Sequence, residues 1–222
     1  MSEKELTTEF LEKYKELEEY ENNYPQIFNK FKNNNKNLFK SAKGVRNVLS
    51  HKTSNGEYPI FVNEFFLREL ENVLYKMNLR VIDCAVLFGS MFVANMDDKL
   101  SYVLKNMSYN NYSYVPIVDD KIVKGVLTEN SILDYIVNNG TGIIYDEKTT
   151  IKELKDFIAL NCNRSEYFAF VPKDTFMVEV EEKFRKVFKN NKRLAVIYIT
   201  ETGKKEEKIL GMVTAFDILG KN

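Results

Sequence analysis

The sequence predicts an α+β protein, with an N-terminal all-helical bundle followed by a tandem β-α-β-β-α unit. Up to about residue 80 the apolar residues follow a helical period, and after it short β-branched runs alternate with helical segments. One passage also occurs twice, as a strand, a hairpin, a second strand with Gly-x-x-Thr, and a helix. Gly125 and Gly211 are 86 positions apart, as are Thr128 and Thr214. A repeat this regular indicates a duplicated supersecondary unit.

Residues 1–80 are predicted to form the helical domain. Apolar positions such as Phe10, Tyr14 and Leu17 recur within a Glu/Lys-rich segment, and similar patterns follow at 27–31 and 38–49. The Asn55-Gly56 turn and a proline at 59 interrupt this pattern. A further amphipathic helix then begins near residue 65.

Residues 81–222 are predicted to hold the duplicated unit. We place the first repeat at about 86–138, a linker at 139–165 and the second repeat at about 166–220. The first repeat should have a helix at 100–107, strands at 114–118 and 122–127, and a helix at 129–138. Residues 149–160 and 168–171 should be connecting elements, and the first helix of the second copy should lie at 178–188. Since neither copy can bury its apolar sheet face alone, we expect the two to pack sheet to sheet.

Composition narrows the choice of function. Acidic and basic residues balance at 32 each, so no global charge favours nucleic acid or an anionic membrane. Cys84 and Cys162 lie far apart and no apolar signal segment opens the chain, which predicts a reduced cytoplasmic protein. Two cysteines and one histidine make a metal site unexpected. No apolar run approaches the ~20 residues that span a bilayer, so no membrane partner is expected.

The duplicated unit, with Val-Pro-x-Val-Asp at 115–119 and Gly-x-x-Thr before a helix in both copies, resembles a pair of CBS domains over about residues 86–220. The resemblance implies that an adenosine nucleotide or related ligand binds between the repeats. It assigns ribose and phosphate contacts in the second copy to Gly211, Thr214 and Asp217, and a phosphate contact to Arg193. Glycine permits close backbone approach, a hydroxyl suits phosphate, and a carboxylate suits ribose hydroxyls.

The first copy departs from this pattern. It keeps Thr128 but has Ser131 where the ribose-binding acid is expected, and Tyr114 where the second copy has Arg193. The first cleft is therefore expected to be weaker or empty. Plain helix capping is the alternative role for Thr214 and Asp217. The sequence does not choose among AMP, ADP, ATP, cyclic di-AMP and S-adenosylmethionine as the ligand.

A second resemblance lies in the helical domain. Arg46, Asn47 and His51 resemble the R-[polar]-x-x-x-H motif of HEPN domains, helical bundles that often dimerise and in many members cut RNA without a metal. The resemblance implies His51 as general acid or base and Arg46 as the group that stabilises phosphate charge. Residues 29–52 are basic with no acid, so RNA is a candidate partner there. The alternative is that Arg46 and His51 close the bundle or its dimer interface.

Together these patterns favour a cytoplasmic, homodimeric regulatory protein that senses an adenine nucleotide and has a helical dimerisation or effector domain. The first alternative is a nucleotide-gated, metal-independent ribonuclease that uses Arg46, Asn47 and His51. The second is an interaction scaffold with empty CBS clefts.

Overall fold

The computed structural model describes residues 1–51, 57–139, 147–186 and 191–219, and the chain divides into two units, Met1–Leu79 and Arg80–Asn222. The first unit is helical and the second mixes helices with strands. The predicted α+β architecture with a helical N-terminal region is confirmed.

The first unit contains four helices within its described residues: α1 (Glu3–Asn23), α2 (Pro25–Asn34), α3 (Lys36–Leu49) and α4 (Glu64–Asn78). Their starts follow from local chemistry. Ser2 and Glu5 form a capping box at α1, a proline stands in the first turn of α2, and the Asn63 side chain accepts a hydrogen bond from Phe66 N at α4.

One apolar cluster joins these helices. Phe10, Leu70 and Met77 are fully buried at its centre. Thr7, also fully buried, is not left unpaired, because its hydroxyl accepts a hydrogen bond from Val62 N at 3.0 Å. The chain leading into α4 is thereby tied to α1.

The second unit begins with a short helix, α5 (Val81–Cys84), and a two-residue strand, β1 (Val86–Leu87). The first repeat continues with α6 (Leu100–Asn110), β2 (Tyr114–Asp119), β3 (Ile122–Thr128) and α7 (Glu129–Asn139). The β2–β3 turn places Asp120 and Lys121 at φ of 46° and 64°, as a two-residue hairpin requires.

A connector and the second repeat complete the unit. The connector contains a 3₁₀ turn at Ile151–Leu154 and α8 (Lys155–Ile158). The second repeat has β4 (Glu166–Pro172), α9 (Met177–Arg185), β5 (Arg193–Thr200), β6 (Gly211–Thr214) and α10 (Ala215–Leu219). Both copies therefore show the predicted helix–strand–strand–helix order. The helix predicted at 178–188 ends earlier, because α9 stops at Arg185, and residues 187–188 lie outside the described residues.

The sheets exchange edge segments between the repeats. The second-repeat sheet has the order β1-β6-β5-β4, so Val86 and Leu87, which the sequence assigned to the first repeat, pair with β6 of the second. Reciprocally, Gly125 of β3 bridges to Ala159, which precedes the second repeat. Ala94 bridges in parallel to Ile117 of β2, as β4 lies parallel to β5. The first repeat's own leading segment is thus near Ala94 rather than at 86.

The two sheets share a core. Val123 and Val126 of β3 belong to the same buried cluster as Val196 and Tyr198 of β5, which is the expected sheet-to-sheet packing. A second cluster joins α6, β2 and β3 to the connector through Ile151, Leu154 and Ile158. Since both sheets lose their apolar faces to this packing, the repeats form one unit.

Two kinds of feature are absent from the described residues. None of the helices described here has the length and apolar character needed to cross a membrane. Among the same residues, no group of three or more His, Cys, Asp or Glu side chains is placed to hold a metal ion.

Candidate functional site

A cavity of about 930 Å³ lies in the second unit, and both repeats contribute to its wall. The predicted residues Arg193, Thr214 and Asp217 all line it. Apolar and aromatic side chains line it as well, among them Met91, Phe92, Tyr112, Phe184, Met212 and Phe216. A volume of this size, with a few polar groups in an apolar wall, suits a nucleotide-sized ligand.

Thr214 and Asp217 are joined at the junction of β6 and α10. Asp217 Oδ2 accepts hydrogen bonds from Thr214 N at 2.8 Å and from the Thr214 hydroxyl at 2.7 Å. The hydroxyl proton is thereby committed to Asp217, so the structure corrects the expectation that this hydroxyl is ready to donate to phosphate. Asp217 Oδ1 makes no hydrogen bond to the described residues and faces a cavity where a ligand hydroxyl could donate to it.

The resemblance assigned a phosphate contact to Arg193. In the structure its side chain is held by an ion pair with Glu166. It stands directly opposite Glu166 on the parallel strand β4, and its Nε and Nη2 both donate to Glu166 Oε1, at 2.9 and 2.5 Å. The Arg193 side chain is 63% exposed, whereas the Glu166 side chain is only 2% exposed. The hydrogen bond to Glu166 is the main cause that raises the pKa of Arg193.

Tyr114 completes this group. Its hydroxyl donates to Glu166 Oε1 at 2.9 Å and lies 3.5 Å from Arg193 Nη2. Burial, followed by the hydrogen bond to the carboxylate, raises the pKa of Tyr114 to about 12, so the phenol stays protonated at neutral pH. Tyr114, which holds in the first repeat the position of Arg193 in the second, therefore donates a hydrogen bond to Glu166 and also lines the cavity.

Gly211 does not line the cavity, and its role is corrected. A Cβ at this position would lie 2.8 Å from Val86 O, on the neighbouring strand β1. The glycine therefore permits close pairing of β1 with β6. The sequence argument identified close backbone approach correctly but assigned it to a ligand rather than to another strand.

Thr128 and Ser131 are not at an open cleft. They are 2% and 3% exposed, and Ser131 Oγ accepts from Thr128 N at 2.7 Å while Thr128 Oγ1 accepts from Ser131 N at 3.1 Å. Asn163 covers them, with its Nδ2 3.4 Å from both Thr128 Oγ1 and Glu166 Oε2. Thr128 and Ser131, the ligand contacts predicted in the first repeat, are thus surrounded by other side chains of the protein.

The sequence did not single out Glu166 or Tyr112 as part of the site. Tyr112 lies stacked on Phe92 with ring centroids 5.9 Å apart, and both rings line the cavity. The signal available in the sequence was the position of Tyr114 at the start of β2, which matches Arg193 at the start of β5; Tyr112 lies two residues before β2. Glu166 had no comparable signal.

The candidate catalytic residues of the helical unit are placed differently from the sequence argument. Arg46 lies on α3 but pairs with Glu18 of α1 at 3.3 Å and lies over the Tyr14 ring at 6.0 Å. α3 ends at Leu49, so His51 lies beyond the helix that carries Arg46 and Asn47. Asn47 and His51 are exposed.

The basic stretch 29–52 is described up to residue 51. Lys32 approaches Glu21 of α1 at 3.8 Å and lies over the Phe28 ring. Lys32 and Arg46 thus each form an ion pair with an acidic residue of α1. The arrangement favours a bundle-closing role for Arg46, and RNA cleavage by this unit stays a prediction.

Comparison with known proteins identifies one domain. The family model of the CBS domain matches residues 89–138, so the chain contains a CBS domain in the first repeat. No curated protein matches the sequence.

The solved structures that this chain resembles include the following three. A conserved protein domain of unknown function from Neisseria meningitidis MC58 shares 19% identity, with 83% of this chain and 99% of that chain covered and a TM-score of 0.48. CBSX2 in complex with AMP shares 14% identity, with 64% and 93% covered and a TM-score of 0.44. A CBS domain pair in complex with 5′-methylthioadenosine and S-adenosyl-L-methionine shares 20% identity, with 64% and 94% covered and a TM-score of 0.44.

Proposed function

We propose that this protein is a regulatory CBS-domain protein that senses an adenine nucleotide or a related adenosine ligand, with the helices of residues 1–80 as its dimerisation and effector domain. The observation that carries the proposal is the cavity of about 930 Å³ that Arg193, Thr214 and Asp217 all line. These are the residues that the resemblance to CBS pairs assigned to a ligand, and Arg193 comes from a different strand, β5, than the neighbouring pair Thr214 and Asp217 at the junction of β6 and α10.

The cavity's chemistry suits an adenosine group. Asp217 Oδ1 can accept a hydrogen bond from a ribose hydroxyl, which is a charge-assisted contact. The aromatic and methionine side chains offer an apolar wall for the adenine ring. The exposed part of the Arg193 guanidinium can meet a phosphate. The ribose, the base and the 5′ substituent of the ligand are thus each matched by a group in the cavity.

Regulation requires that the ligand favour one arrangement of the protein over another. A ligand with equal affinity for both arrangements would shift nothing. The homodimer expected from the sequence belongs to this proposal. Light scattering on the purified protein, with and without ligand, measures it directly.

The test of binding is a thermal-shift screen against AMP, ADP, ATP, cyclic di-AMP and S-adenosylmethionine. A ligand at one hundred times its dissociation constant should stabilise the fold by about 2.7 kcal/mol. Asp217→Ala should abolish the shift. Because Asp217 also accepts a hydrogen bond from Thr214 N at the start of α10, the variant needs a control that loses a similar side-chain-to-backbone hydrogen bond.

Asp98→Ala supplies that control. Asp98 Oδ2 accepts a hydrogen bond from Asn95 N at 2.7 Å, three residues earlier, as Asp217 does from Thr214 N. Asp98 does not line the cavity. A ligand shift that survives in Asp98→Ala and disappears in Asp217→Ala supports the proposal. No shift with any ligand would overturn it and favour a scaffold with empty clefts.

A further inference from the structure

The charge of the cavity wall is set by a residue that does not itself line the cavity. Among the described lining residues, the charged side chains are Arg193 and Asp217. Glu166 lies directly behind Arg193, with its Oε1 within 2.9 Å of both Nε and Nη2. The carboxylate is in direct hydrogen-bond contact with the guanidinium and therefore offsets its positive charge.

The supply of hydrogen-bond donors is equally limited. The Thr214 hydroxyl and amide both donate to Asp217 Oδ2, so neither is free for a phosphate oxygen. α10 has five residues, too few to provide an anion site of its own. Among the described lining residues, the guanidinium of Arg193 is the charged donor for an anion. The other lining side chains that can donate are neutral, including those of Ser90, Asn110, Asn111 and Ser113.

The basic residues next to the cavity in the described chain add no further positive charge to its lining. α9 contributes Phe184 to the lining, while Lys183 and Arg185 on either side of it are exposed and do not line the cavity. Lys192 donates through Nζ to Asn163 O at 2.6 Å. With Arg193 positive and both Asp217 and Glu166 negative, the groups at the polar end carry one net negative charge.

We propose that Glu166 makes this cavity selective for adenosine derivatives with at most one phosphate, and that di- and triphosphates are disfavoured. The inference rests on the proposed function, because it concerns the ligand of the same site. Arg193 can meet a single phosphate group. Each further phosphate adds negative charge where no described lining cation receives it and where Asp217 and Glu166 repel it.

The experiment is isothermal titration calorimetry with adenosine, AMP, ADP and ATP, in EDTA so that no Mg²⁺ neutralises the phosphates. The four ligands share one nucleoside and differ in charge. We expect affinity to fall from AMP to ADP to ATP, by about threefold or more at each step. The ratio of AMP to ATP affinity should shrink at high salt, because salt screens repulsion between separated charges.

Glu166→Gln tests the role of Glu166 directly. The amide has nearly the same shape and can still accept from Arg193 and Tyr114, but it carries no charge. The ratio of AMP to ATP affinity should fall by about threefold or more in this variant. Glu206→Gln is the matched control, because it removes one acid from a largely exposed position on the β5–β6 hairpin. It should leave the ratio unchanged.

The outcomes separate this inference from the proposed function. If ATP binds the wild type as tightly as AMP, or if Glu166→Gln leaves the ratio unchanged, the selectivity assigned to Glu166 is wrong while ligand sensing stands. If none of the four ligands nor S-adenosylmethionine binds, the proposed function itself is wrong. Should Glu166→Gln fail to fold, the salt dependence of the ratio in the wild type still decides, since a salt-independent ratio contradicts charge selection.

Discussion

Arg193 and Glu166 are cross-strand partners that join the wall of the cavity to the interior of the second unit. Arg193 stands on β5 directly opposite Glu166 on β4, and two of its guanidinium nitrogens donate to one oxygen of the carboxylate. The arginine is largely exposed and the glutamate is almost wholly buried. A residue predicted to bind ligand thus also neutralises a buried charge.

Arg193→Ala is therefore expected to reduce stability as well as binding. Removing the guanidinium leaves the Glu166 carboxylate buried without its charged donor, which should cost about 2 kcal/mol or more of the free energy of unfolding. Urea denaturation measures this loss. Weaker ligand binding by Arg193→Ala alone would not prove contact with the ligand.

The double variant Arg193→Ala/Glu166→Gln provides the control. It removes the buried charge together with its partner, so it should recover at least about half of the stability that Arg193→Ala loses. A double variant as unstable as the single one would show that the buried carboxylate is not the cause.

Gly125→Ala is expected to destabilise the second unit. A Cβ on Gly125 would lie 2.6 Å from Ile158 O, where β3 meets the segment that precedes the second repeat. Relief of this contact requires movement of backbone, at a cost of about 1–3 kcal/mol. Thermal denaturation should show a lower Tm than the wild type.

Gly44→Ala is the matched substitution. A Cβ on Gly44 would have nothing within 4 Å, and the residue lies within α3. Alanine there should stabilise the protein by about 0.5–1 kcal/mol through its higher helix propensity. Equal effects of the two substitutions would contradict the assignment of Gly125 to a close strand contact.

Arg46 and His51 separate the two interpretations of the helical unit. If Arg46 closes the bundle, Arg46→Ala should cost about 0.5–1 kcal/mol of stability through its contacts with Glu18 and Tyr14. His51→Ala should then be close to neutral, because the residue is exposed beyond the end of α3. Denaturation and an RNA cleavage assay measure both variants. RNA cleavage by the wild type that His51→Ala abolishes would instead uphold the ribonuclease interpretation.

The sequence was sufficient to place Thr214 beside Asp217, because a three-residue spacing at a strand–helix junction brings the two side chains together. Arg193, which the resemblance to CBS pairs assigned to the same ligand, lines the same cavity. It could not place Glu166, since the pairing of Glu166 with Arg193 depends on the register of two parallel strands separated by a helix. Nor could it separate the two meanings of Gly211, because a glycine in a strand permits close approach by a ligand or by another strand alike.

The sequence also misplaced the first strand of the unit. Val86 and Leu87 read as the start of the first repeat, but they form an edge strand of the second repeat's sheet. Two residues carry too little pattern to choose between two similar sheets. The partner of β1 is decided by tertiary packing around Gly211, where Val86 O approaches most closely.

Glu207 gives the β5–β6 hairpin a defined acid sensitivity. Its carboxylate accepts hydrogen bonds from both the amide and the hydroxyl of Thr202, and the hydroxyl contact is the larger cause that lowers the pKa of Glu207 to about 2. Because the folded-state pKa lies below the ordinary 4.5, this contribution is present above about pH 4.5 and is lost as the pH falls through about 2. The NMR shift of the Thr202 amide should therefore titrate with a midpoint near pH 2, and in Glu207→Gln this titration should disappear. A midpoint near the ordinary carboxyl value, or a titration that persists in Glu207→Gln, would contradict the assignment.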